Sequence, residues 1–467
     1  MQSILKVNDF IGGIVWGWPM LILLVGTGIA LTFRLKFIQV SKFGYIMKNT
    51  LFKIFAKSTD KDGEGEVTAF QAVSTALAAT VGTGNIAGVA MAIATGGPGA
   101  VFWMWMSAFF GMATKFSEVV LAITYREKEA NGSFSGGPMY YIKHGTKLPW
   151  LASVFALFGA LASFGIGNMT QSNSIAQALE TKFGINPLWT GIVLAVLAGI
   201  VILGGIKRIA SVTEKLVPFM AAFYILGSIA IILMNIGRIP GALGLIFGSA
   251  FSAKAAVGGF AGATLKQVMK MGIARGVFTN EAGLGSAPIA HAAAKTDHPV
   301  RQGMWGVFEV FVDTIVICTM TALVILVTNQ WDSGLQGAAL TSAAFDTGFK
   351  GGGFIVAIGL TLFAFSTILG WAYYGERCMD FLFGSKSVMV YRLLYVPFII
   401  IGSIGKLQEV WAISDTLNGL MAIPNLVAVF MLQGVVILLV KDFMSHPGRI
   451  CTSDEEYLKV IPKDKRA

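Results

Sequence analysis

The sequence predicts an all-α integral membrane protein with about eleven transmembrane helices, and three observations carry that expectation. Of the 467 residues, 55% are hydrophobic and only 13% are charged, a balance far from that of a soluble domain. Apolar stretches of the roughly 20 residues that a spanning helix needs recur from about residue 14 to about residue 442, separated by short polar turns. The formal net charge of +10 concentrates in alternate loops, which marks membrane topology and argues against a nucleic-acid partner.

Residues 1–10 form an amphipathic opening segment. The apolar run from Ile14 to Leu35 lacks an A-x-A-like cleavage site, so it is retained as helix 1. Periodicity and run length place helices 1 to 11 at about 13–34, 67–94, 98–125, 150–178, 187–206, 212–235, 257–295, 302–329, 352–383, 387–404 and 408–442.

The connection between helices 1 and 2 carries Arg34, Lys36, Lys42, Lys48, Lys53, Lys57 and Lys61, which the positive-inside rule assigns to the cytoplasm. The N-terminus is then outside. Alternation puts Lys128, Lys143, Lys207, Arg208, Lys295, Arg301 and Lys386 on the inner face, together with a C-terminal tail bearing Lys459, Lys463, Lys465 and Arg466. The opposite connections, at residues 95–97, 180–186 and 329–351, hold few basic residues. This is the pattern of a multi-pass cell-membrane protein with a cytoplasmic C-terminus.

Helices 2 and 7 are glycine-rich at mid-span, and each opens a run of five helices. Five is odd, so the two runs lie in opposite orientations, as an inverted-topology repeat requires. The chain then divides into residues 1–66 (amphipathic segment, extra helix and inner loop), 67–240 (first repeat), 241–442 (second repeat) and 443–467 (tail). Residue-by-residue similarity between the repeats is not visible.

In helix 2 the break reads Thr80-Val81-Gly82-Thr83-Gly84-Asn85, and in helix 7 it reads Phe278-Thr279-Asn280-Glu281-Ala282-Gly283-Leu284-Gly285-Ser286-Ala287-Pro288. Each glycine weakens a helix by about 1 kcal/mol relative to alanine. Backbone groups freed by unwinding cannot stay unpaired in lipid, so they call for an ion, a substrate or polar neighbours. Close helix packing is the plainer use of such glycines, but two breaks at corresponding positions of antiparallel halves favour a binding site. Freed N–H groups suit a carboxylate and freed carbonyls suit a hard cation, a combination that fits a zwitterionic amino acid. Gly82, Gly84 and Gly88 do not fit a dinucleotide or phosphate loop, and no organic cofactor is expected.

Lys115, Glu118, Glu281, Glu309, Asp313 and Asp415 fall within predicted spans, where ionisable groups usually face the bundle interior. Glu118 is expected to brace a broken helix by accepting backbone N–H bonds, with Lys115 one turn away neutralising it. Cys318, Cys378 and Cys451 lack ligand-like spacing and predict no disulfide. The scattered His144, His291, His298 and His446 predict solvated or interfacial rings rather than a metal site.

The segment Gly96-Gly97-Pro98-Gly99-Ala100-Val101-Phe102-Trp103-Met104-Trp105 resembles the signature of the alanine/glycine:cation symporter family. So do TALAATVGTGNIAGVA from Thr75, GPMYY from Gly137, FGIGNMTQSN from Phe164, NEAGLGSAPIAHAAAKTDHP from Asn280, GWAYYGE from Gly370 and DTLNGLMAIPN from Asp415, so the similarity covers nearly the whole chain. This resemblance implies the five-plus-five inverted-repeat fold of the leucine transporter with an extra N-terminal helix. It also implies sodium-coupled uptake of alanine or glycine by alternating access.

Carried over residue by residue, it implies that N–H groups around Thr83, Gly84 and Asn85 bind the substrate carboxylate and that Phe278 closes over it. The backbone near Thr279 and Gly283 receives the ammonium, while Gln171 and Trp371 line and shorten the pocket. Sodium sits between carbonyls of Ala78 and Val81 and the hydroxyls of Ser366 and Thr367. Asn85, Thr279 and Asp313 form a second cation site or a structural clasp, and Glu118 and Glu281 share that ambiguity. The Ser366 and Thr367 hydroxyls also have a plainer use open to them, bonding to carbonyls one turn back.

Other function classes fit less well. A channel calls for a selectivity-filter repeat, and a membrane enzyme calls for a nucleophile with a base or a metal cluster, neither of which the sequence suggests. A sensor without transport would keep the pocket but has no use for the ion site. The expected partners are the small-molecule substrate and the bilayer, with no obligate protein partner.

Overall fold

The structure, a computed structural model, describes the chain except residues 1, 55–62, 130–131, 252–263, 406–407, 447–449, 452, 463–465 and 467. Lys57, Lys61, Lys463, Lys465 and the predicted start of helix 7 lie outside the described residues.

Helices dominate. The chain opens with α1 (Gln2–Val15) and α2 (Trp18–Arg34), which together form a span with a local interruption at Gly17, where the expected helix 1 was continuous. Thr68 caps α3 (Ala69–Thr80): its hydroxyl accepts from Gln71 N–H while the Gln71 side chain accepts from Thr68 N–H. A π-helical turn, Gly84–Gly88, then leads into α4 (Val89–Gly96), and the axis bends by 50° across the break. After α5 (Ala100–Thr124) comes a small hairpin, β1 (Glu127–Lys128) antiparallel to β2 (Phe134–Ser135). Next are a π-helical turn at Ile142–Thr146, α6 (Pro149–Phe164), a further π-helical turn at Gly165–Met169, and α7 (Thr170–Phe183). α8 (Pro187–Ile202) and α9 (Gly205–Met234) complete the first half.

The second half holds α10 (Ile239–Ala250), α11 (Leu265–Asn280) and the single turn α12 (Pro288–His291). α13 (Pro299–Val310) runs through a π-helical stretch, Phe311–Cys318, into α14 (Thr319–Val327). α15 (Gly337–Gly348), α16 (Gly353–Phe383), α17 (Lys386–Ile404), α18 (Gln408–Ser445) and a short tail helix α19 (Asp454–Leu458) follow. Proline opens α6, α8, α12 and α13, where its missing N–H costs nothing.

Among the described residues, eight helices have the length and apolarity of a span, and the bent pair α3–α4 makes a ninth. The expected eleven also count α8, of only 16 residues, and the broken segment that begins with α11. α10 and α15 lie in stretches read from sequence as connections, because at 12 residues each they are too short to register as spans.

Burial separates centre from perimeter. In the most apolar window of α5, 83% of residues are buried, against 33% in α9 and 28% in α17. The exposed residues of those outer helices include Phe219, Leu226, Leu233, Leu393, Leu394 and Ile401, an apolar rim suited to lipid. At the end that the sequence assigns to the cytoplasm, the two broken segments are joined by backbone bonds: Glu66 N–H to Ala293 O (2.8 Å) and Lys295 N–H to Val67 O (2.7 Å). Arg126 clamps this junction, donating to Ala294 O (2.8 Å), Glu64 O (3.0 Å) and the Asp454 carboxylate of α19 (2.9 Å).

Candidate functional site

The first break follows from residues that cannot continue a helix under crowding. Val81 turns extended (ψ 93°), and the chain passes through Gly82 before helical geometry resumes at Thr83. Gly82 has no room for a side chain: a Cβ there would lie 2.5 Å from the Thr367 hydroxyl oxygen and 3.6 Å from Gln171 Oε1. A Cβ on Gly84 would come within 3.1 Å of Thr279 and 3.3 Å of the Phe278 ring. The glycines thus bring the first break against α11 and α16. Asn85 holds the turn, its Oδ1 accepting from Gly82 N–H at 2.9 Å. The N–H groups of Thr83 and Gly84 open the second half-helix, where a helix has no acceptor one turn earlier.

In the second break the backbone is left-handed at Glu281 (φ 54°), Gly283 (φ 92°) and Gly285 (φ 83°). A non-glycine residue in that region costs about 1–2 kcal/mol and needs anchoring. The Glu281 carboxylate is anchored by Ser286 O–H (2.5 Å) and Trp371 Nε1–H (3.0 Å). Asn280 accepts from Ala282 N–H (3.0 Å) and donates to Thr314 (3.0 Å). Asn425 of α18 donates to Gly283 O (2.9 Å) and to the Glu118 carboxylate, and accepts from Tyr141 O–H. Behind this, Glu309 pairs with Lys115 at 3.3 Å and contacts His291 at 3.0 Å, and all three side chains are fully buried.

Between the breaks lies a small cavity. Gly82, Thr83 and Gly84 form one wall; Phe278, Glu281, Thr367 and Trp371 form another; Ile166, Gln171 and Asn418 complete it with Ala79 and Thr80. Three buried polar atoms on residues of this lining, Thr83 Oγ1, Gln171 Oε1 and Asn418 Oδ1, have no hydrogen-bond partner among the described residues. The orientation of the Gln171 amide is fixed, because its Nε2 donates to Ile166 O at 2.9 Å and a carbonyl only accepts. Two of the four π-helical stretches supply residues of this lining, Gly84 and Ile166.

Comparison with known proteins decides what this arrangement belongs to. The sequence profile of the sodium:alanine symporter family matches residues 1–454. The chain belongs to the sodium:alanine symporter family. It is 52% identical over 445 residues to the sodium/alanine symporter AgcS of Methanococcus maripaludis, covering 94% of this chain and 96% of that one. It is 42% identical to the probable sodium/glutamine symporter GlnT of Bacillus subtilis, covering 95% of this chain and 91% of that one.

Among solved structures, MhsT in complex with L-phenylalanine shares the fold at a TM-score of 0.54 and 15% identity, covering 85% of this chain and 92% of that one. A Na+-coupled sialic acid symporter in a substrate-bound outward-open state matches at a TM-score of 0.51 and 14% identity, covering 95% of each chain. Membership bears out the expected family, the leucine-transporter-type all-α membrane fold, and a transport rather than an enzymatic role.

In this symporter the expected site residues separate into groups. Thr83, Gly84, Gln171, Phe278 and Trp371 line the cavity as expected, and Thr367 and Glu281 join them. Asn85, Thr279 and Gly283 are not on its wall. Asn85 Nδ2–H (2.6 Å) and Thr279 O–H (2.8 Å) instead donate to the Asp313 carboxylate, which also accepts from Thr314 at 2.7 Å. Gly283 packs against Leu24 and Leu426. Ser366 O–H donates to Ala78 O (3.0 Å) and Phe363 O (2.8 Å), and Thr367 O–H to Phe363 O (3.0 Å); Val81 is buried one turn beyond Ala78.

Two expectations are corrected. Lys115 pairs with Glu309, not Glu118, because α13 packs against α5 and brings the closer carboxylate. Glu118 interacts with the Gly283 backbone at the second break, as expected, and Asn425 joins the two by donating to both Glu118 and Gly283 O. His291 and His298 are buried at 0% and 2% exposure, with His291 held by Glu309 and Gln302. Sequence reasoning missed Ala79, Thr80, Ile166 and Asn418. The one available signal was Asn418, an amide inside an apolar span and within a family motif.

Proposed function

We propose that this symporter carries alanine or glycine together with sodium into the cell, binding the amino acid in the cavity between the two breaks. The observation that carries this reading is the set of three buried side-chain atoms without a partner among the described residues, on residues lining one cavity where Thr83 and Gly84 open the second half-helix. An unpaired buried polar group costs about 1–3 kcal/mol, and a zwitterionic ligand that supplies partners removes that cost. The carboxylate takes the N–H groups of Thr83 and Gly84 at the positive end of the half-helix. Phe278 and Trp371 limit the side chain to a small one.

Sodium belongs between the carbonyls of Ala78 and Val81 and the hydroxyls of Ser366 and Thr367. Both hydroxyls donate to Phe363 O, so their lone pairs remain available to a cation. The Asp313 carboxylate is already engaged by Asn85, Thr279 and Thr314, which supports a structural clasp between the breaks rather than a second cation. Glu118 and Glu281, each bonded by protein groups, take structural roles as well. In this reading the repeats 67–240 and 241–442 move against each other, with the N-terminus outside and the tail in the cytoplasm.

The test is uptake of radiolabelled alanine into proteoliposomes under an imposed sodium gradient, with lithium, potassium and proton gradients as controls. Sodium-dependent, saturable uptake that unlabelled glycine suppresses and glutamine does not is the expected outcome. Uptake indifferent to sodium would sink the coupling, and glutamine outcompeting alanine would move the substrate class.

A further inference from the structure

We infer that Asn418 is a substrate-contact residue of this symporter, and that with Gln171 it receives the ammonium group of the transported amino acid. The inference rests on the proposed amino acid site and assigns one end of it. Asn418 is 1% exposed, lies on the cavity wall, and keeps an amide oxygen without a partner among the described residues. Gln171 presents a second such oxygen, held in the cavity by the bond from its amide nitrogen to Ile166 O. A carbonyl oxygen of an amide only accepts, so these two atoms call for a donor. The Thr83 and Gly84 wall offers backbone N–H donors, which call for an acceptor. A cavity with a donating wall and an accepting wall matches an α-amino acid, whose carboxylate and three-donor ammonium share one carbon.

Asn418 comes from α18, outside both breaks, and its placement is built into the packing. A Cβ on its neighbour Gly419 would lie 2.3 Å from Val15 Cγ1, so the Val15 side chain of α1 packs directly on the α18 backbone at this level. Trp16 Nε1–H donates to Asp415 O at 3.0 Å, fixing the rotation of α18 one turn before Asn418. The N-terminal segment that precedes the two repeats therefore acts as a positioning element for a substrate contact. Glu281 shares the cavity, but its two oxygens already accept from Ser286 and Trp371.

Binding of radiolabelled alanine at saturating sodium, measured on purified wild type, N418A and N418D, tests this. N418A removes the acceptor, and alanine affinity is expected to fall about tenfold or more, the effect of one lost hydrogen bond to a charged group. N418D keeps an acceptor and loses the donor, so it binds within about threefold of wild type or more tightly. Wild-type affinity in N418A overturns the inference, and so does an N418D as weak as N418A, which would mean that Asn418 donates or only packs. Where N418A is not recovered as a monodisperse protein, Asn418→Leu, near in size and without an acceptor, decides by the same criterion. A wild type that shows no sodium-dependent alanine binding overturns the proposed function itself, whereas intact wild-type binding with an indifferent N418A overturns only the assignment of Asn418.

Discussion

The two helix breaks are built from the same kind of residue and end in opposite states. At the first, Gly82 and Gly84 let the chain approach Thr367 and Phe278, and the surrounding polar atoms Thr83 Oγ1, Gln171 Oε1 and Asn418 Oδ1 have no partner among the described residues. At the second, Asn280, Glu281 and the carbonyl of Gly283 are each bonded by side chains from α13–α14, α16 and α18. Glycine content alone therefore does not mark a binding site. A break whose freed groups are satisfied internally is a braced hinge, and a break whose neighbours remain unpaired is where a ligand belongs.

The largest effect expected from this contrast is on stability at the second break. Asn425→Ala strips a partner from Gly283 O, the Glu118 carboxylate and the Tyr141 hydroxyl together. Leaving a buried carboxylate short of a partner costs about 3 kcal/mol or more. The variant is expected to unfold well below wild type in detergent, while the folded fraction still binds alanine within severalfold. Unchanged thermal stability would show that the brace is dispensable and would erase the distinction between the breaks.

An intermediate effect is expected at the first break, in ion dependence. Replacing both Ser366 and Thr367 by Ala removes two oxygens beside Ala78 O without touching the Thr83 and Gly84 N–H groups. Sodium activation of uptake is expected to weaken about tenfold, the effect of one or two lost oxygen ligands near 1.4 kcal/mol, before alanine binding at saturating sodium is lost. A sodium dependence identical to wild type would refute this placement of the ion.

Much of the fold was legible because lipid makes it so: long apolar runs, alternating basic loops and two polar interruptions at mid-span follow from what a bilayer tolerates. The break at Val81–Asn85 could be read because glycine, hydroxyl and amide residues cluster there in otherwise apolar sequence. What could not be read were pairings made across the bundle. His291 looks solvated until its partners Glu309 and Gln302, 18 and 11 residues away, fold onto it. Lys115 is one turn from Glu118 yet pairs with a residue 194 positions distant. Asn418 is marked in the sequence only as an amide in an apolar span, and whether such an amide is paired or free depends on helices that the sequence does not place. α10 and α15 escaped because a helix of 12 residues has too little apolar length to stand out from a loop.

The smallest effect is expected where the two breaks meet. Trp371 lines the cavity while its indole N–H holds Glu281 at 3.0 Å, so it belongs to both. Its backbone end cannot retreat, because a Cβ on Gly167 would lie 2.2 Å from Trp371 Cβ. Trp371→Phe keeps an aromatic wall, removes the N–H and vacates the space of the second ring. Losing one bond to a carboxylate that Ser286 still holds is worth about 1 kcal/mol, so alanine affinity is expected to shift by less than about tenfold. The vacated space favours a side chain one methylene longer, and 2-aminobutyrate is expected to gain about tenfold relative to alanine in competition assays. If selectivity stays fixed while alanine affinity collapses, Trp371 serves chiefly to hold Glu281, and the closure of the second break is then a condition for binding at the first.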